Sequence, residues 1–546
     1  MAKSSKTRAS RLKYVSSTHV LIPGFETPFD QNLDPTNRWV VLANNIPWDK
    51  LVNIYEKQLG KSNFGASTIN GRIAIGSLII KLLNDLSDRD VVTQLQENVY
   101  MQYFVGLSSF CSAPLYDPSL LVEFRNRLGM DELKEINEII VANWARQNDD
   151  NRNDDEDNGI KNLSGTDVSI DIKDDETPHQ SGVEHKGSLI IDATAAPQDI
   201  AYPTDLNLLS EAREILESVI DTMYEKSTEI KKPRTYREIA HKEYLKVAQN
   251  RNPSGKIIRG AIKKQLQYVA RNLKIVNRYM DELGVFGILT AKQHNYFLRI
   301  NTLYDQQIEM YTHKKHSVEN RIVSIHQPHV RPIVRGKRGA KVEFGSKIQV
   351  GLVDGICYLD YLSWDAYNES QYLEHSVEEY KRRSGYYPSE VLADQIYCTR
   401  SNRTFLKDRG IHLKAKPLGR PSAVQNHVSP GERNPIEGKF GQAKVAYGLQ
   451  RVKARLTNTS ASWIAGIILV LNLVKLAGLS AYCIILKVLN NIKKEWSLIG
   501  WQRHNVRFGT LTFSADPIYQ NISWYNSYLQ PHIIRAFSSS RTFTVV

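Results

Sequence analysis

The sequence predicts an α/β protein: a mixed sheet with flanking helices, preceded by a helical region and interrupted after its first strand by a large helical insertion. Three observations carry that prediction. Residues 188–194 form a short apolar run around a single acid, Asp192, as a buried strand would. Apolar residues then recur at helical spacing over 206–312, before the period changes to 2 from Arg321 onward. Finally, Asn434, Pro435 and Glu437 read as N-cap, first and third positions of a late helix. Glu437, Gly441, Lys444 and Gly448 share one stripe of that helix, beside a burial stripe of Ile436, Phe440, Ala443 and Tyr447. Glu437 also suits a simple capping box with Asn434.

The 546 residues leave room for two to four domains, and 41% apolar with 24% charged residues is ordinary for a globular chain. A net charge of +13 favours a polyanionic partner. Four cysteines, Cys111, Cys357, Cys398 and Cys483, show no paired metal spacing and are too few for a disulfide scaffold, so a reducing compartment is expected. The first thirteen residues are basic but lack the apolar core of a signal peptide. The apolar run over 463–489 is interrupted by Asn472 and Lys475, which predicts a buried core helix rather than a membrane span.

Taken in order, 1–69 reads as an N-terminal arm and lead-in. Residues 70–145 read as a helical, DNA-binding domain. There Ser87 caps a helix over 88–97, and Asp117-Pro118-Ser119 opens another with Arg125 and Arg127 facing outward for DNA. A solvated bundle face explains those arginines equally well. Residues 146–186 hold twelve acids against five bases and predict a disordered linker. The first strand lies in 187–205, where Asp192 should be paired or metal-bound because an isolated buried charge is costly. Asp199, beyond Pro197, and Asp205, at a helix start, are expected to be bystanders.

Residues 206–320 form the helical insertion, with an antiparallel pair of long helices over 209–223 and 266–280. Within it, 231–275 carries thirteen Lys or Arg and only two acids, a composition that points to phosphate contact through residues such as Lys263 and Lys264. In 321–455, strands are predicted at 322–325, 342–353 and 356–362, the last two joined by an Asp354-Gly355 turn. A helix over 369–383, a strand over 389–394 ending in Asp394, a helix, and a strand over 411–415 follow. Residues 456–492 read as core helices and 493–546 as an extended tail.

With the insertion removed, this order is that of an RNase H-like core carrying Asp192, Asp394 and Glu437. The spacing Arg433-x3-Glu437-x6-Lys444 resembles the signature around the last acid of bacterial insertion-sequence DDE transposases. The segment 195–209 is similar to the one after the first catalytic aspartate in their insertion-sequence-five-like group, and 86–128 resembles their N-terminal domain. Pro430 departs from the pattern, since a tyrosine often stands there.

The resemblance implies an enzyme that binds the terminal inverted repeats of its element, cuts by two-metal hydrolysis and joins 3′-OH ends to target DNA. Asp192, Asp394 and Glu437 would be the catalytic and metal-binding acids for two Mg²⁺, with Mn²⁺ able to substitute. Arg433 and Lys444 would contact DNA near the cut. Double-stranded DNA, a homodimer in a paired-end complex and a bacterial cytoplasmic location follow from the same source. An RNase H-fold nuclease that does not join ends, or an inactive DNA-binding derivative, remains the alternative. Asp354 and Asp360 are the rival acids should the three fail to converge.

Overall fold

The computed structural model describes residues 33–59, 68–156, 185–283, 288–334, 342–415 and 430–478, with only the backbone of 148–156. The chain divides into Met1–Ser480 and Ala481–Val546. The second unit, with the expected tail, lies outside the described residues, as do the cores of the arm and of the acidic linker.

The described part of 1–69 is helical rather than a simple lead-in. Helices α1 (Arg38–Asn45) and α2 (Trp48–Lys57) are followed by α3 (Gly71–Leu83), α4 (Asp88–Glu97), α5 (Val99–Phe104), α6 (Leu120–Arg127) and α7 (Met130–Glu156). Trp39 and Trp48 bring their rings to 5.1 and 5.2 Å from Phe104, which ties the first two helices into the N-terminal bundle. Ser87 caps α4 in a capping box with Asp90, as expected. Helix α7 continues to Glu156, so the acidic stretch begins as helix; its early acids Asp131 and Glu132 suit the N-terminus.

Arg125 and Arg127 do not face outward. Arg125 is 7% exposed and donates to both Asp88 carboxylate oxygens at 2.9 Å, while Lys81 reaches the same carboxylate at 2.8 Å. Arg127 donates to the Tyr55 hydroxyl at 2.9 Å. Both guanidiniums are drawn inward by partners 37 and 72 residues away, beyond the reach of a local pattern.

The sheet begins with β1 (Ser188–Pro197). Helices α8 (Asp205–Tyr224), α9 (Arg237–Ala248), α10 (Gly255–Leu283) and α11 (Ala291–His313) then form the insertion. Its core contains the expected stripes: Leu209, Ala212, Leu216, Val219 and Met223 meet Leu266, Val269, Leu273 and Val276. Residues 322–325, expected as a strand, instead run as irregular backbone whose Ile322 and Ile325 close this helical core. Their apolar character serves burial against helices rather than pairing.

Strands β2 (Arg331–Val334), β3 (Val342–Val353) and β4 (Ile356–Ser363) follow; Asp354 and Gly355 take φ of 49° and 76°, the left-handed turn that residue pair favours. Next come a 3₁₀ turn (Glu369–Tyr372), α12 (Leu373–Ser384), β5 (Glu390–Leu392), a 3₁₀ turn (Gln395–Tyr397), α13 (Arg400–Asp408) and β6 (His412–Lys414). Helices α14 (Pro430–Ala446) and α15 (Thr457–Leu476) complete the described chain.

Among the described residues the sheet has six strands in the order β2-β3-β1-β5-β6, with β4 on β3. β1 is antiparallel to β3 and parallel to β5, which is parallel to β6. Leu189, Ile191 and Val391 pack with α12 residues Leu373, Val377 and Tyr380 to form the core on one face. Helix α15 packs against α7, α3, α6 and β4 and is a buried core helix, as expected. Its buried Asn472 accepts from the Cys357 N–H at 2.8 Å and donates to Asn137 at 2.9 Å, so the polar interruption is an internal strut.

Arg125→Ala should therefore lower stability by about 2 kcal/mol, because Asp88 keeps only Lys81 and Trp463 loses a stacked cation. Thermal unfolding of the variant checks this. An unchanged midpoint would mean that the arginine is free for an external partner after all.

Candidate active site

The central strand and its parallel neighbour put two aspartates side by side. Ile190 of β1 is in register with Leu392 of β5, so Asp192 and Asp394 each stand two residues past the last matched pair. Asp192 lies opposite Val350 of β3, and its Oδ1 accepts from the Ala193 N–H at 2.8 Å. Asp394 is the N-cap of the turn after β5, where its Oδ1 accepts from the Gln395 N–H at 2.7 Å.

Arg433, on α14, bridges them. Its Nη2 is 3.7 Å from Asp192 Oδ2 and its Nη1 is 3.2 Å from Asp394 Oδ1. The helix is anchored for this by Ile436, Phe440, Ala443 and Tyr447, all buried, which is the stripe expected from the sequence. Its start differs from expectation. Pro430 opens the helix and Pro435 lies inside it, so Asn434 is not its N-cap and Glu437 is not a third-position capping residue. Gly448 stands beyond its end with φ 75°, as a helix-terminating glycine.

Glu437 is exposed and sits one turn past Arg433 on the same helix, with Lys444 two turns further and half-buried. Among the described residues, no group of three or more His, Cys, Asp or Glu is close enough to enclose a metal ion. The donors nevertheless fit hard divalent cations in kind. Two carboxylates from separate elements converge on one positive charge, and a third acid lies one turn along the helix that supplies it.

Burial pushes the Asp192 carboxyl up to about 6; the Ala193 N–H and Arg433 oppose the shift, while the nearby charges of Glu369 and Asp394 add to it. The rival and bystander acids named from the sequence are engaged elsewhere. Asp360 is buried against Arg383 at 3.1 Å, and Asp354 forms the hairpin turn. Asp199 pairs with Arg451 at 2.8 Å and Asp205 with Arg321 at 2.6 Å, while Thr204 rather than Asp205 caps α8. Lys263 is exposed on α10, whereas Lys264 pairs with Glu243 at 2.5 Å. Glu369 was missed as a neighbour of Asp192, since an acid in the first turn of a helix reads as ordinary dipole matching.

Asp192 titrates above its unfolded value, so the folded state holds that proton more tightly and stability falls as pH rises from about 4 to about 6. In metal-free buffer at pH 8, Asp192→Asn should then melt above wild type, by the equivalent of about 2 kcal/mol. The difference should close as pH falls toward 4. A variant less stable than wild type at pH 8 would show the carboxylate to be well satisfied where it stands.

Comparison with known proteins falls on the same regions. Residues 391–474 match the family model described as Transposase DDE domain, and residues 27–127 match that described as Transposase domain (DUF772). The first match spans Asp394, Arg433, Glu437 and Lys444; β1 with Asp192 lies outside both. An uncharacterized Rhizobium meliloti protein, ORF8 in the nfe locus, is 26% identical over 198 residues, 35% of this chain and 77% of that protein. No solved structure gives a significant match. The mixed sheet is compatible with an RNase H-like core, and both matching family models are described as transposase domains.

Proposed function

We propose that the chain is a DDE transposase of the insertion-sequence-five-like group. It binds the ends of its element, cuts them by metal-dependent phosphodiester hydrolysis, and joins the 3′-OH ends to target DNA. The observation that carries this reading is the placement of Asp192 and Asp394 on adjacent parallel strands across Arg433, on a mixed sheet compatible with an RNase H-like core. Two Mg²⁺ ions, or Mn²⁺ in their place, would supply charge neutralisation at the phosphate and an activated water.

Asp192 would hold both ions and Asp394 and Glu437 one each. Arg433, whose Nε is buried without a partner, has guanidinium N–H groups to offer a phosphate once the carboxylates are otherwise engaged. Lys444, further along the same helix, extends the positive charge beside the strand being cut. The basic run over 231–275 supports a longer DNA contact on the insertion, led by exposed Lys263, while Lys264 must first leave Glu243. Joining two ends in one complex implies at least a dimer, and work on DNA in a bacterium implies the cytoplasm.

The test turns on Glu437. Because it is exposed and inside the helix, Glu437→Gln should change stability by less than about 0.5 kcal/mol. Strand cleavage and end joining should fall by several orders of magnitude in either Mg²⁺ or Mn²⁺, with DNA binding retained. A variant that nicks and joins its cognate ends at the wild-type rate would remove Glu437 from the site.

A further inference from the structure

The arginines that the sequence placed for reading DNA are engaged inside the N-terminal bundle, Arg125 with Asp88 and Arg127 with Tyr55. The insertion presents the opposite arrangement. Helix α10 carries seven Lys or Arg, and its two acids, Asp281 and Glu282, stand in its last turn. Leu266, Val269, Leu273 and Val276 bury its inner face in the insertion core, which fixes the direction of the outer face.

Sorting the cations of α10 by partner leaves a single line. Arg259 donates to the Tyr311 carbonyl oxygen at 2.9 Å, Lys264 is held by Glu243, and Arg278 lies 2.9 Å from Glu229. Arg271 stacks on Tyr236, 4.6 Å from the ring centroid. The side chains of Lys256, Lys263 and Lys274 are exposed and form no hydrogen bond or ion pair with another described residue. A turn of about 100° per residue returns positions 256, 263 and 274 to nearly the same direction, so these three share one stripe. Gly260 and Gln267 lie on it between them, both exposed. A Cβ at Gly260 would meet no neighbouring atom, so a bulky partner can approach the backbone there.

A solvated helix face usually mixes charges of both signs. This stripe runs for about 27 Å without an acid, which is less than one turn of duplex DNA. The major groove is wide enough to admit a helix. A straight helix laid there meets base edges at its middle, while the groove curves away and brings phosphates to its two ends. The stripe is graded to match. The Gln267 amide, which can both donate to and accept from an adenine, lies toward the middle, and Lys256 and Lys274 stand at the ends. We propose that the outer face of α10 reads the end of the element, with Gln267 on a base edge and Lys256 and Lys274 on flanking phosphates. The inference rests on the reading of the chain as a protein that binds those ends, and adds the surface that recognises them.

The experiment measures binding of the full-length protein, without divalent metal, to two labelled duplexes of equal length and composition. One carries the end of the element and the other a scrambled sequence, and each is titrated over a range of salt concentrations. Gln267→Ala should lower the preference for the element end about tenfold while leaving affinity for the scrambled duplex unchanged. Lys256→Gln and Lys274→Gln should weaken binding to both duplexes by the same factor, each reducing the salt slope by about one. All three side chains are exposed, so thermal unfolding should match wild type. An unchanged preference in Gln267→Ala overturns base reading by this face, and an unchanged salt slope in both lysine variants overturns its contact with DNA. Wild-type protein that binds the two duplexes alike would instead overturn the reading on which the inference rests.

Discussion

The meeting of Asp192, Asp394 and Arg433 is the constraint on which the candidate site depends. Parallel pairing of β1 with β5 forces the two carboxylates to neighbouring positions, and like charges there repel. Arg433 offsets that repulsion, which requires α14 to lie against β1 at one rotation and height. Ile436, Phe440 and Ala443 fix both by burial. The geometry is therefore set by packing: the apolar stripe decides where the guanidinium goes and leaves Glu437 exposed one turn away.

The insertion explains how a helical region interrupts such a sheet without disturbing it. It leaves after β1 and returns before β2, and its own core draws on α8, α10, α11 and the irregular segment at Ile322 and Ile325. The sheet's core, around Leu189, Ile191 and Val391, shares none of those residues. The register of Asp192 against Val350 and Leu392 against Ile190 is therefore set by the sheet's own core, separately from the packing of the insertion. Helix α15 performs the corresponding task for the N-terminal bundle, tying α3, α6 and α7 to β4.

Features governed by neighbouring residues were legible in the sequence. These include the strand around Asp192, the Asp354-Gly355 turn, the Ser87 cap and the burial stripe of α14. What escaped was set by distant partners. Trp39 and Trp48 become core residues through Phe104, and Arg125 turns inward to Asp88. Residues 322–325 have strand-like composition but are claimed by a helical core. Pro435 reads as a helix start, yet the helix begins at Pro430 and runs through it, forgoing the hydrogen bond that a residue-435 N–H would have made to the residue-431 carbonyl. Likewise, the motif spacing pointed to Arg433, but not to its position between two aspartates, which only the strand register determines.

The central claim is that these residues cut and join DNA. The most direct measurement incubates the protein with Mg²⁺ and duplexes carrying the ends of its own element, then resolves the products by strand. The account predicts nicks that leave 3′-OH termini at the element boundary, followed by molecules in which those termini are joined to target DNA. Breaks without any joined product would contradict strand transfer, and intact DNA bound by well-folded protein would contradict catalysis altogether.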